Sequence, residues 1–354
     1  MMSSWTAQAT VTASLTAFLY EGFTYNAVYL ARVLPAVDLD SEVYPRLVAF
    51  NLAWGLALWS YLRTSWADPG AVPEEWHDFV RRAGVALRIS PGRKEWQPGQ
   101  ATMCKFCSRP RPERAHHCAL CHVCILRLDH HCPWINNCVG FNNHKYFIQT
   151  CFYVLLACVV AFVSAFPQLA LVTQRWRMIL HGGKGFSLGL APTDEIAFIV
   201  FGAIAMFIAM FVTPLLAIQM RLAIGNRTTI EDNYGGSSNP FDQGVGANLS
   251  QLFGGFGLDW FLPVAPWRPQ VDGVTFPRSD AWADEYSLMS GNGYSEEPSP
   301  TGWTRQAQGE GVWRAHYGVA MFDAERDAHT PSTLDYMLGC MQMDCEGDAL
   351  PPRR

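Results

Sequence analysis

The chain has 354 residues, of which 49% are hydrophobic and only 16% charged, against roughly 25% charged in an average soluble protein. Its net charge of −5 is spread along the chain, which argues against a nucleic-acid binder built on a basic face. The length allows two soluble domains or several membrane spans with modest attachments, and the shortage of charge favours the bilayer.

In chain order, the N-terminal MMSSWTAQAT has no basic residue ahead of its apolar part, so no cleavable signal peptide is expected. Residues 12–34 form the first stretch of about 20 residues, the length that crosses a hydrocarbon core. Glu21 and Asn26 interrupt it, which leaves an interfacial helix as the alternative. A second stretch, 47–66, contains Asn51 and ends on Arg63 and Trp66. Residues 67–103 read as a linker rich in Pro, Gly and Trp, with a short helix expected near 74–88. A cysteine-rich segment, 104–145, precedes the two clearest spans, 146–171 and 196–220. Pro214 is expected to kink the last of them. The segment 225–268 is polar, and 269–354 reads as a loosely structured tail in which Trp303, Trp313 and Tyr336 could dock.

Basic residues set the expected orientation. About a dozen Lys and Arg fall in 63–145, three in 172–194 and none in 35–45. The positive-inside rule therefore places 63–145 in the cytosol, with both termini on the same side of four spans. Arg221 and Arg227, just beyond the fourth span, agree.

Seven of the eleven cysteines lie between Cys104 and Cys138. An extracellular disulfide framework is one reading. The C-x-x-C pairs interleaved with histidines fit metal ligation better, and metal-held thiolates suit a reducing compartment. Two closed tetrahedral zinc sites need eight ligands. Six cysteines with two histidines fill them and leave one cysteine over. A spare cysteine beside Asp129, His130 and His131 is what a thiol nucleophile looks like. His116, His117, His122 and His144 keep other ligand sets open.

The run Asp129-His130-His131-Cys132, continuing through Pro133, Trp134, Asn136, Asn137, Cys138, Gly140, Phe141 and Asn143, resembles the DHHC cysteine-rich domain of protein S-acyltransferases. The resemblance extends to Asp68-Pro69-Gly70, similar to that family's DPG motif, and to Thr228-Thr229-Ile230-Glu231, similar to its TTxE motif. Asn239-Pro240-Phe241-Asp242, Gly244, Asn248, Phe253-Gly254 and Trp260-Phe261-Leu262-Pro263 resemble its C-terminal packing motif. About residues 45–265 are covered in the family's order.

The resemblance implies an α-helical integral membrane protein with four transmembrane helices and a small cytosolic, zinc-stabilised domain. The expected parts are 1–66 with the first two spans, the linker 67–103, the zinc domain 104–145, the last two spans 146–224, the packing segment 225–268 and the tail 269–354. One implied zinc site uses Cys104, Cys107, His117 and Cys124; the other uses Cys118, Cys121, His131 and Cys138. Both would be structural, since four protein ligands leave no open position.

The implied activity is transfer of a palmitoyl group from palmitoyl-coenzyme A to cysteines of membrane-associated proteins, in two steps through Cys132. His130 would accept the thiol proton and Asp129 would fix the imidazole. Thr228, Thr229 and Glu231 would support the site, although Thr-x-x-Glu also fits a helix capping box. Asn248 is expected to satisfy buried backbone groups at a helix end. Coenzyme A phosphates could meet Arg111, Arg114, Arg127 or Lys145. Ala157, Ala161 and Ala165 repeat at helical spacing, either for close helix packing or to line an acyl chain.

Cys151 and Cys158 read as packing residues, Glu21 as functional or interfacial, and Cys340 and Cys345 as free to be acylated or idle. Golgi or endoplasmic-reticulum membranes, with the plasma membrane as a further option, are the implied location. The competing class is a membrane-anchored zinc scaffold or ubiquitin-ligase adaptor, which needs neither a spare Cys132 nor the Asp-His pair. A zinc transporter would want ionisable ligands inside the spans, where Glu21 stands alone.

Overall fold

The computed structural model describes residues 4–234, 238–279 and 309–319. Helix α1 (Ser4–Phe23) runs on into a π-helical stretch, Thr24–Val33. Helix α2 (Val43–Trp66) follows, then the short α3 (Glu74–Ala83). After the cysteine-rich module come α4 (His144–Leu180) and α5 (Pro192–Ile224). Helix α6 (Val245–Phe253) and helix α7 (Glu310–His316) complete the α-helices among the described residues.

Helix α4 packs against α2 on one side and α5 on the other. At 37 and 33 residues, and about 1.5 Å per residue, α4 and α5 exceed the ~30 Å hydrocarbon core. Both are apolar enough to cross a membrane. Phe162, Val163 and Phe166 on α4, and Phe207, Met210 and Phe211 on α5, are exposed, a face that lipid rather than water would cover. Among the described residues, α1 and α2 fall below that apolarity. Threonines and Glu21 in the first, and Arg46, Asn51 and Arg63 in the second, lower it.

The far end of the helical layer is sealed by aromatic side chains. Tyr25, Tyr29, Phe50, Phe198 and Phe201 are all buried together with Ala161 and Ala165. Tyr25 stacks on Phe50, and its hydroxyl meets Ser164 Oγ at 2.8 Å. Asn26 and Asn51 exchange side-chain amide hydrogen bonds, which satisfies polar groups that would otherwise cost several kcal/mol in an apolar layer.

At the other end, short strands within residues 89–139 form three small sheets that build the module. β1 (Ile89–Pro91), β2 (Ala101–Cys104) and β3 (Arg109–Arg111) form one. β4 (His116–Cys118) pairs with β5 (Val123–Ile125), and β6 (His130–Cys132) with β7 (Asn137–Val139). The module is tied to the end of α2 by side-chain amides. Asn137 Nδ2 donates to the carbonyls of Thr64 and Ala67, and Asn143 Nδ2 to that of Thr64. These satisfy carbonyls that the helix end leaves open. The Asp68-Pro69-Gly70 turn is closed by Asp68 Oδ1, which accepts from the backbone of Gly70 and Ala71. Gly70 sits at φ +102°, where a side chain would be strained, and its carbonyl accepts from Leu126 N.

The expectation of a loosely structured 269–354 does not hold over 269–279 and 309–319. Trp313 and Tyr317 of the α7 segment are buried with Trp76, Phe79, Val80 and Val274. Trp313 Nε1 donates to Asp272, Tyr317 Oη to the Val274 carbonyl, and Arg82 pairs with Glu310. Aromatic anchors spaced one helical turn apart, at 313 and 317, supply this docking. Trp303, Tyr336, Cys340 and Cys345 lie outside the described residues.

Candidate active site

Two groups of sulfur and nitrogen atoms converge in the module. Cys104, Cys107, His117 and Cys124 offer ligand atoms within 4.8 Å of one another, and so do Cys118, Cys121, His131 and Cys138. The chain builds both in the same way. Each C-x-x-C pair forms a knuckle in which the second cysteine's N–H points at the first sulfur, at 3.4 Å in both. The following residue, Ser108 or His122, turns with positive φ. Each histidine ligand then faces the last cysteine of its set across a two-stranded ladder, His117 opposite Cys124 and His131 opposite Cys138.

Burial and the neighbouring thiols push Cys124 and Cys138 well up from the usual thiol range. Such crowding calls for positive charge. A divalent cation supplies it, and three sulfurs with one imidazole nitrogen are zinc donors. Both clusters could therefore hold a metal ion. The remaining histidines are engaged elsewhere: His116 lies 3.4 Å from Tyr234 Oη, His122 is a turn residue, and His144 joins a hydrogen-bond chain below α5.

Cys132 stays outside both clusters. It ends β6, is buried, and packs with Tyr61, Ile135, Val139, Phe147 and Cys151. Leu15 and Phe18 of α1, with Val212, Leu215 and Leu216 of α5, line the same apolar tract. The adjacent loop is held from α1 and α2: Thr10 Oγ1 donates to the Pro133 carbonyl at 2.6 Å, and Tyr61 Oη to that of Trp134 at 2.9 Å.

His130 Nδ1 donates to Asp129 Oδ2 at 2.6 Å. Burial alone would lower the His130 pKa, but hydrogen bonds to Asp129 and Cys132 outweigh it and raise it to about 9. Asp129 moves the other way, below the usual carboxylate range. Its burial is overcome by His130, by the neighbouring His144 and by the backbone of Thr229. The pair favours an imidazolium beside a carboxylate, the state left after a nearby thiol gives up its proton.

Thr229 holds Asp129 directly: its N–H donates to Oδ1 at 2.7 Å and its Oγ1 to Oδ2 at 2.9 Å. Thr228 and Glu231 form a reciprocal cap. Thr228 N donates to Glu231 Oε2 at 2.9 Å and Glu231 N to Thr228 Oγ1 at 3.3 Å. Asn248 donates to the Ile224 carbonyl at the end of α5, and its Oδ1 accepts from Gln243 N. Among the alanines, Ala161 and Ala165 fall in the aromatic seal, whereas Ala157 lies on α4 between that seal and the tract around Cys132.

Three of the four basic side chains considered for coenzyme A are buried and already engaged, which removes them as phosphate contacts. Arg114 makes two hydrogen bonds to Glu231, Arg127 bonds to Asn226 and His144, and Lys145 lies 3.7 Å from Asp259. Arg111 alone of the four is half-buried, with its Nε on Thr102. Sequence reasoning passed over Gln219, Asn226 and Tyr61. Gln219 did carry a signal, as a lone amide near the end of an apolar span.

A thiol beside an Asp-His pair, on a module that could hold two metal ions, is the equipment a thiol-nucleophile enzyme would carry, and two of the helices set against it are apolar enough to cross a membrane. Comparison narrows this. Residues 97–234 match the family model of the DHHC palmitoyltransferase. The chain is 30% identical over 284 residues to palmitoyltransferase ZDHHC2 of Mus musculus, covering 72% of each. It is 33% identical over 252 residues to the probable protein S-acyltransferase 13 of Arabidopsis thaliana, covering 69% of this chain and 81% of that one. It is 31% identical over 297 residues to palmitoyltransferase ZDHHC15 of Xenopus laevis, covering 78% and 84%. The chain belongs to the DHHC palmitoyltransferase family.

Proposed function

We propose that this chain is a protein-cysteine S-palmitoyltransferase that uses palmitoyl-coenzyme A and works through an acyl-Cys132 intermediate. The observation that carries this reading is the one cysteine of the module that belongs to neither metal cluster, seated next to the His130–Asp129 pair. In the first step the Cys132 thiolate attacks the thioester carbonyl. The bond to the coenzyme A sulfur breaks, and that thiolate leaves with the proton held on His130. In the second step a substrate cysteine, deprotonated by His130, attacks the acyl-Cys132 carbonyl, and Cys132 leaves as thiolate. Exchange between thioesters is nearly balanced, so the protein supplies a reactive thiolate and proximity.

Cys104, Cys107, His117 and Cys124 would hold one zinc ion, and Cys118, Cys121, His131 and Cys138 the other. With four protein donors each, the ions supply structural cross-links. The four long helices are proposed as spans, with the module and both termini in the cytosol, in an endomembrane such as Golgi or endoplasmic reticulum. Thr228, Thr229, Glu231 and Asn248 support the site from 225–268.

The test is labelling of the purified protein with a clickable palmitoyl-coenzyme A. Hydroxylamine-sensitive label is expected on wild type and absent from Cys132→Ser, which also loses transfer to a substrate peptide. Equal label on both proteins returns the scaffold reading to the front.

An acyl chain leaving Cys132 enters the tract lined by Phe147 and Cys151 and runs along α4 toward the aromatic seal. Ala157 would border its distal part. Ala157→Phe is expected to shift preference from sixteen-carbon to shorter acyl-coenzyme A, read as the ratio of self-acylation rates. An unchanged ratio leaves Ala157 as a packing residue.

A further inference from the structure

Behind Asp129 lies a buried hydrogen-bond chain whose polarity is fixed from one end. Arg127 Nη1 contacts His144 Nδ1 at 3.3 Å, His144 Nε2 contacts Gln219 Oε1 at 2.9 Å, and Gln219 Nε2 donates to Asp129 Oδ2 at 3.1 Å. Arg127, Asp129, His144 and Gln219 are each no more than 3% exposed. A guanidinium has no acceptor, so His144 Nδ1 must accept and its proton sits on Nε2. That proton goes to the Gln219 carbonyl oxygen, which leaves the Gln219 NH2 only one way to face: Asp129. Arg127 is itself anchored, its Nη2 on Asn226 Oδ1 at 3.2 Å.

We propose that Gln219 is a positioning residue for acyl transfer, with its amide set by His144 and Arg127 so that it always offers Asp129 a donor. The assignment rests on the acyltransfer reading above. Thr229 grips Asp129 from the segment after α5, and Gln219 grips the same carboxylate from within α5. Two anchors from different turns of the chain fix its tilt. Asp129 Oδ2, which accepts the hydrogen bond from His130 Nδ1–H, also accepts from Gln219 Nε2 and from Thr229 Oγ1. Any rotation that improves one contact at that oxygen disturbs the others, so the imidazole of His130 is held in one plane toward Cys132. Gln219 touches neither substrate nor sulfur; its effect passes through Asp129.

The experiment measures self-acylation of the full-length protein in detergent, with rate constants at saturating palmitoyl-coenzyme A and apparent KM. Loss of one charge-assisted hydrogen bond predicts that Gln219→Leu slows the saturated rate roughly ten- to hundredfold, with KM unchanged. His144→Leu should do the same by freeing the amide to turn. The double variant should be no slower than the worse single one, because both remove one coupled chain. His144→Gln, which restores an oxygen for Arg127 and an N–H for Gln219, should recover most of the rate.

Gln219→Glu, nearly isosteric, puts an oxygen against Asp129 and should lose more than Gln219→Leu; it serves as the second probe if the leucine variant fails to fold. Additive losses, a change in KM alone, or a wild-type rate in Gln219→Leu would overturn the assignment. A wild type without hydroxylamine-sensitive label overturns the acyltransfer reading and this assignment with it, and so separates the two failures.

Discussion

Chelation of zinc is expected to abolish self-acylation and open the module to proteolysis between Cys104 and Cys138, while α4 and α5 keep their helical signal. The reason is the scarcity of core. Within the Cys118–Cys138 half, the buried aliphatic side chains are Ile125, Leu126, Leu128 and Ile135. Such side chains contribute about 1.5–3 kcal/mol each, far short of what ordering the loops around them costs. Zinc-finger peptides gain about 10–16 kcal/mol from their metal, and a module of this make-up is expected to depend on a gain of that kind.

The catalytic consequence is direct. His131 and Cys132 are neighbours on one three-residue strand, β6, whose partner β7 carries Cys138. Loss of a metal held at His131 and Cys138 would free the hairpin that places Cys132 beside His130. Metal analysis should find about two zinc ions per chain, following the ligand count of closed tetrahedral sites, and activity should fall in step with the metal removed. Full activity in a metal-free protein would sink both the structural role and the eight-ligand assignment.

Much of the frame was legible because it is written in local patterns. Hydropathy and length mark α4 and α5, C-x-x-C spacing marks the two knuckles, and Thr-x-x-Glu marks the cap at 228–231. The ligand partition was not legible from spacing, since it depends on which strands pair: His117 reaches Cys124 and His131 reaches Cys138 only through ladder register. The fates of Arg114, Arg127 and Lys145 were hidden for the same reason. A basic side chain near a presumed anion site looks like a ligand for it until its long-range partner is known, and Glu231 lies 117 residues from Arg114. The docking of 309–319 depends on a surface assembled from α3 and residues 271–276, which composition alone cannot show.

Glu231→Ala is expected to destabilise the protein by about 3–5 kcal/mol, the cost of stranding one member of a buried ion pair, and to slow acyl transfer as well. Arg114 and Glu231 are 2% and 1% exposed at the side chain. The guanidinium donates to both carboxylate oxygens at 2.7 Å and lies over the rings of both Phe241 and Phe276, 4.6 and 4.7 Å from their centres. Without Glu231 that charge has no water to turn to. Its remaining contacts, to Asn226 Oδ1 and the Asn226 carbonyl, are neutral.

Burial would raise the Glu231 pKa, but Arg114, with Arg127 and His116 behind it, holds it below the ordinary value. A carboxylate depressed on folding stabilises the protein above its unfolded pKa, about 4.3. That contribution drains away as pH falls through the lower, folded value. The activity loss follows from the cap: Glu231 receives Thr228 N, and the next residue, Thr229, holds Asp129. Replacing the pair together, Arg114→Leu with Glu231→Leu, removes the stranded charge and should recover much of the thermal stability without recovering the rate. If Glu231→Ala melts like wild type at pH 7, the pair is screened in solution and Thr229 is positioned by something else. If the double variant recovers the rate too, Asp129 does not depend on the cap.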